Sequence, residues 1–132
     1  MLKEKFNKIN ENGNLIASQE TQKFIKKTFN FGYETKEAIL QDLDDEVEEL
    51  KDELLLEDKE RIKEELGDVV FVLCNLANQY DINIEEAIEY SNKEFQRRFI
   101  YMENKIGKAN IKDLKTSDIV KLWKEAKMNK GN

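Results

Sequence analysis

The chain has 132 residues, with 28 Asp and Glu against 22 Lys and Arg for a net charge of −6, and this length predicts one domain over residues 1–132 or a protomer that completes its core in an oligomer. It has no His and no Pro, which excludes His-ligated zinc, a Glu-x-x-His di-iron bundle and every imidazole-based acid–base scheme, so metal or acid–base chemistry must rest on carboxylates. The single thiol, Cys74, cannot form an intrachain disulfide, the uncharged stretch Val69 to Tyr80 is well short of the roughly 20 residues of a membrane span, and the negative charge argues against general nucleic-acid binding. Met1 to Asn10 holds three Lys and no apolar run of the kind a secretion signal uses, so a soluble, cytoplasmic protein with no membrane or nucleic-acid partner is expected.

Apolar residues return every three or four positions and no strand alternation is visible, so the chain reads as all-α, a helical bundle. The turn-rich cluster Asn10-Glu11-Asn12-Gly13-Asn14 makes residues 1–17 a short helix or a loose N-terminal arm. A first firm helix is predicted from Ser18 to Phe29, broken by Phe29-Asn30-Phe31-Gly32-Tyr33, whose three aromatics call for cover. The second helix runs from about Thr35 to Leu56, with Ile39, Leu43, Val47, Leu50 and Leu54 forming one apolar stripe. Asp58 can cap a third helix from Lys59 to about Tyr80, and the short connection predicts an antiparallel hairpin of these two helices. The run Val69 to Ala77 is apolar almost all round, which predicts a central helix packed on most sides. Asn83-x-x-Glu86 reads as a capping box opening a fourth helix to about Ile106, ended by Gly107, and Ser117 is a candidate cap for a last helix through Lys127.

Charge is unevenly distributed: residues 42–68 hold 14 acids and four bases, residues 93–132 hold 11 bases and five acids. The two tracts either neutralise each other across a helix interface or mark a metal site and an anion site. Acid pairs three residues apart are common here, so position on the helix separates the candidates. Glu46 lies at the margin of the apolar stripe and Glu49 one turn further on the same flank. Asp68 opens the apolar run of the third helix, and Glu65 sits one turn earlier. If the hairpin sets Glu46 and Glu49 opposite Glu65 and Asp68, their oxygens form a hard anionic cluster suited to Mg²⁺ or Mn²⁺, completed by the phosphates of a substrate. The competing reading is a solvated acidic face neutralised by Lys51, Lys59, Arg61 and Lys63, and spacing alone leaves both open.

Four segments resemble one known family, the MazG-type nucleotide pyrophosphohydrolases of the all-α NTP pyrophosphatase superfamily. Asp45-Glu46-Val47-Glu48-Glu49 resembles its Glu-Glu-x-x-Glu and Glu65-Leu66-Gly67-Asp68 its Glu-x-x-Asp. Asn92-Lys93-Glu94-Phe95-Gln96-Arg97-Arg98-Phe99 resembles its Asn-x-Lys-Phe-x-x-Arg-Phe, and Trp123-Lys124-Glu125-Ala126-Lys127 its Trp-x-x-x-Lys. The resemblance implies hydrolysis of a nucleoside triphosphate between the α and β phosphates to a monophosphate and pyrophosphate, with Glu46, Glu49, Glu65 and Asp68 holding Mg²⁺ or Mn²⁺, in a homodimer or homotetramer. It also implies substrate contacts from Asn92, Lys93, Arg97, Arg98, Trp123 and Lys127. No general base is assigned, Glu48 and Glu64 being equally candidates and surface residues. Asp45 replaces the first Glu of the motif, and Glu94 reverses the charge where the family has Lys. A relative restricted to dCTP, dUTP or a modified nucleotide, and a non-catalytic helical oligomerisation or regulatory module, are the alternative readings.

Overall fold

The computed structural model describes residues 1–130; the last two positions of the expected 1–132 domain lie outside the described residues. Among the described residues there are six α-helices, one short 3-10 turn and no strand: α1 (Leu2–Asn10), α2 (Asn14–Phe29), α3 (Lys36–Leu56), α4 (Lys59–Gln79), α5 (Ile84–Ile106), the turn Ile111–Asp113, and α6 (Thr116–Met128). The all-α expectation is met. The chain forms two compact units, Met1–Ala87 and Ile88–Asn132, divided within α5. No helix is long and apolar enough to cross a membrane among the described residues.

In the first unit the helix ends follow local chemistry. Residues 1–17 are helical on both sides of a turn at Gly13, whose φ of 93° suits glycine. The Gly13 carbonyl accepts from the Ala17 N–H, so α2 begins at Asn14, one turn before the expected Ser18. Thr35 Oγ1 accepts from the Ala38 N–H and caps α3, while Asp58 Oδ1 accepts from the N–H groups of Glu60 and Arg61 and caps α4. Between them only Glu57, in left-handed conformation, and Asp58 connect α3 to α4, which pack against each other as an antiparallel pair. The connecting aromatics gain less cover than their composition suggests: Phe29 and Phe31 are exposed and only Tyr33 is half-buried.

Helix α4 is less enclosed than its apolar run predicts. Val72, Cys74 and Ala77 are buried, with α2 and α3 packed against the helix, but Leu66, Val70, Phe71 and Leu73 remain 37–50% exposed. A buried amide ties α2 to the turn after α4. Gln19, only 4% exposed, donates through Nε2 to Asn78 Oδ1 (3.0 Å) and to the Ile82 carbonyl (2.8 Å), and its Oε1 accepts from the Ile84 N–H (2.9 Å) at the start of α5. Asn78 Nδ2 returns a bond to the Gln19 carbonyl, and Asn75 Nδ2 donates to Gln22 Oε1, so both asparagines are engaged internally. Gln19→Leu strips partners from three part-buried groups at once and is expected to destabilise the chain by about 2–4 kcal/mol in urea unfolding. A loss under about 1 kcal/mol would mean that water satisfies those groups.

The second unit comprises the rest of α5, the 3-10 turn and α6. Asn83, at the end of the first unit, caps α5 by accepting from the N–H groups of Glu85 and Glu86, and Gly107, at φ 62°, ends it as expected. Ser117 is not the cap of α6. The Lys115 carbonyl already takes the N–H groups of Asp118 and Ile119, so the helix starts at Thr116 without a side-chain cap. Asn110 caps the preceding 3-10 turn instead, by accepting from the Lys112 N–H. Met102 and Ala126 are buried in this unit.

Candidate metal centre

The hairpin of α3 and α4 brings three of the four expected acids together. Glu46 and Glu49 are one turn apart on α3, Glu65 stands on α4, and one carboxylate oxygen from each lies within 4.8 Å of the other two. Asp68, one turn after Glu65, is outside that set of three, yet its charge acts on both Glu46 and Glu65. Burial, reinforced by the carboxyl of Glu49 and then by Glu65 and Asp68, pushes the Glu46 carboxyl up to about 7. Glu65 is raised as well, first by burial and then by the charge of Glu49.

Among the described residues no cation relieves this crowding. Lys51 pairs with Glu48 (3.2 Å), and Arg61 pairs with Glu53 (3.5 Å) and Asp58 (4.0 Å); among the described residues no Lys or Arg pairs with Glu46, Glu49, Glu65 or Asp68. Oε2 of Glu46 and Oε2 of Glu65 are buried with no hydrogen-bond partner. Two carboxylates about 5 Å apart repel by roughly 3 kcal/mol at an effective dielectric of 20, and a buried acceptor without a partner costs a further ~1–3 kcal/mol. An oxygen-only donor set with orphaned lone pairs and no internal counter-charge fits a hard divalent cation, Mg²⁺ or Mn²⁺.

The acidic row is longer than the sequence reading singled out. Asp42, Glu46, Glu49 and Glu53 follow at spacings of four, three and four, each one residue before Leu43, Val47, Leu50 and Leu54 of the apolar stripe. That offset is the signal that finds Asp42 and Glu53. Glu53 Oε2 is buried without a partner, while its Oε1 faces Arg61. At the other end the Tyr33 hydroxyl donates to Asp42 Oδ2, and burial, with Asp42 and then Glu46, pushes the Tyr33 phenol up to about 12. Tyr33 stands in a loop, where no periodicity marks it.

In the second unit, Asn92 and Lys93 are exposed on α5, and Lys93 Nζ pairs with Glu89 at 2.7 Å. Arg97 is fully engaged. Its Nε and one terminal nitrogen meet the two oxygens of Glu94 at 3.1 and 3.2 Å, and its terminal nitrogens also donate to the carbonyls of Asn129 (2.5 Å) and Ala126 (3.2 Å) at the end of α6. Arg98 reaches Glu94 at 3.6 Å, its guanidinium lies over the Trp123 ring 5.5 Å from the centroid, and its Nε is buried without a partner. Phe95 packs on Trp123 with ring centroids 5.4 Å apart, and Lys127 is exposed one turn after Trp123.

Comparison with known proteins places the segment that carries these acids in a known family. The family model for the MazG nucleotide pyrophosphohydrolase domain matches residues 34–99, which include all four acids and the Asn92 to Phe99 segment. The chain is 41% identical over 68 residues to the uncharacterized protein YabN of Bacillus subtilis (strain 168), covering 50% of the chain and 14% of that protein. It is 25% identical over 130 residues to the nucleoside triphosphate pyrophosphohydrolase/pyrophosphatase MazG of Thermotoga maritima, covering 95% of the chain and 50% of that protein. To the nucleoside triphosphate pyrophosphohydrolase of Escherichia coli (strain K12) it is 30% identical over 123 residues, covering 86% of the chain and 45% of that protein. The chain thus spans half the length or less of these relatives. With the family model matching half of its length, the chain belongs to the MazG nucleotide pyrophosphohydrolase domain family.

Proposed function

We propose that this chain is a Mg²⁺-dependent nucleoside triphosphate pyrophosphohydrolase, with Mn²⁺ able to replace Mg²⁺, that cleaves an NTP or dNTP between the α and β phosphates to a nucleoside monophosphate and pyrophosphate. The observation that carries this reading is the convergence of Glu46, Glu49 and Glu65, with an orphaned oxygen on Glu46 and on Glu65 and no Lys or Arg paired with them among the described residues. Glu46, Glu49, Glu65 and Asp68 would hold the ion. When bound, the ion supplies stabilisation of the charge that builds on the phosphoryl oxygens and favours ionisation of water. The chain's own contribution is to hold four carboxylates on two rigid helices, so that little reorganisation accompanies reaction.

In this reading Arg98 and Lys127 contact the phosphate chain, Trp123 the base, and Asn92 and Lys93 add polar contacts to the substrate. Arg97 serves the substrate by holding the end of α6 through the Ala126 and Asn129 carbonyls. The open stripe Leu66, Val70 and Leu73 on α4, spaced four and three apart, supports assembly into a homodimer or homotetramer. A cytoplasmic setting is consistent with the one thiol, Cys74, free and buried.

A panel of NTPs and dNTPs with Mg²⁺, assayed for pyrophosphate and monophosphate, tests the activity. At least one substrate is expected to give the two products in equal amounts. Release of orthophosphate alone would overturn the reading in favour of a different phosphohydrolase, and release of nothing from any nucleotide would overturn it in favour of a non-catalytic helical module.

A further inference from the structure

Two arginines share one carboxylate on α5. Glu94 is about one-fifth exposed and gives both oxygens to Arg97 at 3.1 and 3.2 Å, and only a longer 3.6 Å contact to Arg98. Arg97 has further acceptors in the Ala126 and Asn129 carbonyls, so its fork is filled by the fold. Arg98 is in the opposite condition. Glu94 is the one acid within ion-pair reach of it among the described residues, its Nε is buried without an acceptor, and its guanidinium carbon lies over the Trp123 ring. A guanidinium offers five donors in a planar fork suited to phosphate oxygens, and here one distant carboxylate is all that answers them.

We propose that Glu94 acts as an internal stand-in for phosphate on Arg98, so that the phosphate chain of the substrate must displace it and Glu94 sets how tightly that chain is held. The inference rests on the reading above that Arg98 contacts the phosphates. Its physical basis is competition. A carboxylate on the same helix, four residues from Arg98, has a high local concentration and lowers the net charge of the Glu94, Arg97 and Arg98 group to +1. Arg97 keeps Glu94 ionised and in place, so the contact persists whenever the site is free. Glu94 is thereby an affinity-determining residue of this chain, and its effect falls on the binding of substrate.

The test measures binding of inorganic tripolyphosphate to the full chain by calorimetry, with KM and kcat for the best nucleotide measured alongside. Glu94→Gln is expected to tighten tripolyphosphate about fivefold to tenfold and to lower KM by a similar factor with little change in kcat. In an Arg98→Gln background the same substitution is expected to have no effect. Should Glu94→Gln lose the α5–α6 clip and fail to fold, Glu94→Asp keeps a charge for Arg97 while withdrawing from Arg98, and a smaller tightening is expected. Unchanged or weaker binding in the folded Glu94 variant, while Arg98→Gln weakens the wild type, would overturn the proposal and leave the phosphate role of Arg98 standing. Binding that ignores Arg98→Gln altogether would remove that role and the proposal with it.

Discussion

Glu65→Gln is expected to lower pyrophosphate release at least a thousandfold while raising the thermal stability of the metal-free protein. A divalent ion supplies several kcal/mol of transition-state stabilisation, and about 4 kcal/mol corresponds to roughly a thousandfold in rate. The substituted amide keeps the shape of the side chain but brings no charge to the ion. In the absence of metal the same change removes one negative charge from three carboxylates whose oxygens lie within 4.8 Å, and it gives Glu46 and Glu49 a donor where they had a repelling neighbour. Loss of activity with gain of stability separates a ligand from a structural residue, because a residue that holds the fold loses both together. Activity assays, Mn²⁺ titration and thermal unfolding in chelator together decide the matter. If activity persists within tenfold, the ion sits elsewhere; if stability falls, the acids have an internal partner and the site is structural.

Much of this architecture was legible because helix ends are written in short-range chemistry. Thr35, Asp58, Asn83 and Gly107 act at the positions where a side-chain acceptor or a left-handed glycine ends a helix, and each does so within three residues of itself. Ser117 misled because the Lys115 carbonyl engages two N–H groups first, a competition between backbone partners that composition does not reveal. The acids of the hairpin were legible from their place beside the apolar stripe, and the two-residue connection made the opposition of Glu46 and Glu49 to Glu65 a matter of register. What stayed hidden depends on long separations. Arg97 meets carbonyls 29 and 32 residues further on, and Gln19 bonds to groups 59 to 65 residues away. Neither leaves a local pattern. The exposed side of α4 was hidden for a different reason: an apolar run states what must leave water, and the side chains that cover it can belong to another copy.

Between pH 5 and 8 the metal-free protein and the metal-loaded protein are expected to respond to pH in opposite directions. Burial, and then the crowding of Glu49, raise the Glu46 carboxyl from its ordinary 4.5 to about 7 in the folded state, so between those values the folded chain binds more protons than the unfolded chain. Stability from this group is therefore complete below about 4.5, is lost as pH rises through about 7, and is level above. After discount for its contact with solvent, the loss amounts to about 1–2 kcal/mol, a fall in melting temperature of several degrees. A divalent ion takes only the ionised carboxylate, so its affinity runs the other way and is expected to weaken about tenfold for each pH unit below 7. Mn²⁺ titrations at pH 6 and 8 measure that slope, and thermal unfolding in chelator measures the first. Glu46→Gln should flatten the chelator series, since it fixes the side chain uncharged at every pH. A metal-free protein that gains stability from pH 5 to 7 would mean that these carboxylates are held ionised by a positive group of the chain, and an ion would then have no unbalanced charge to bind.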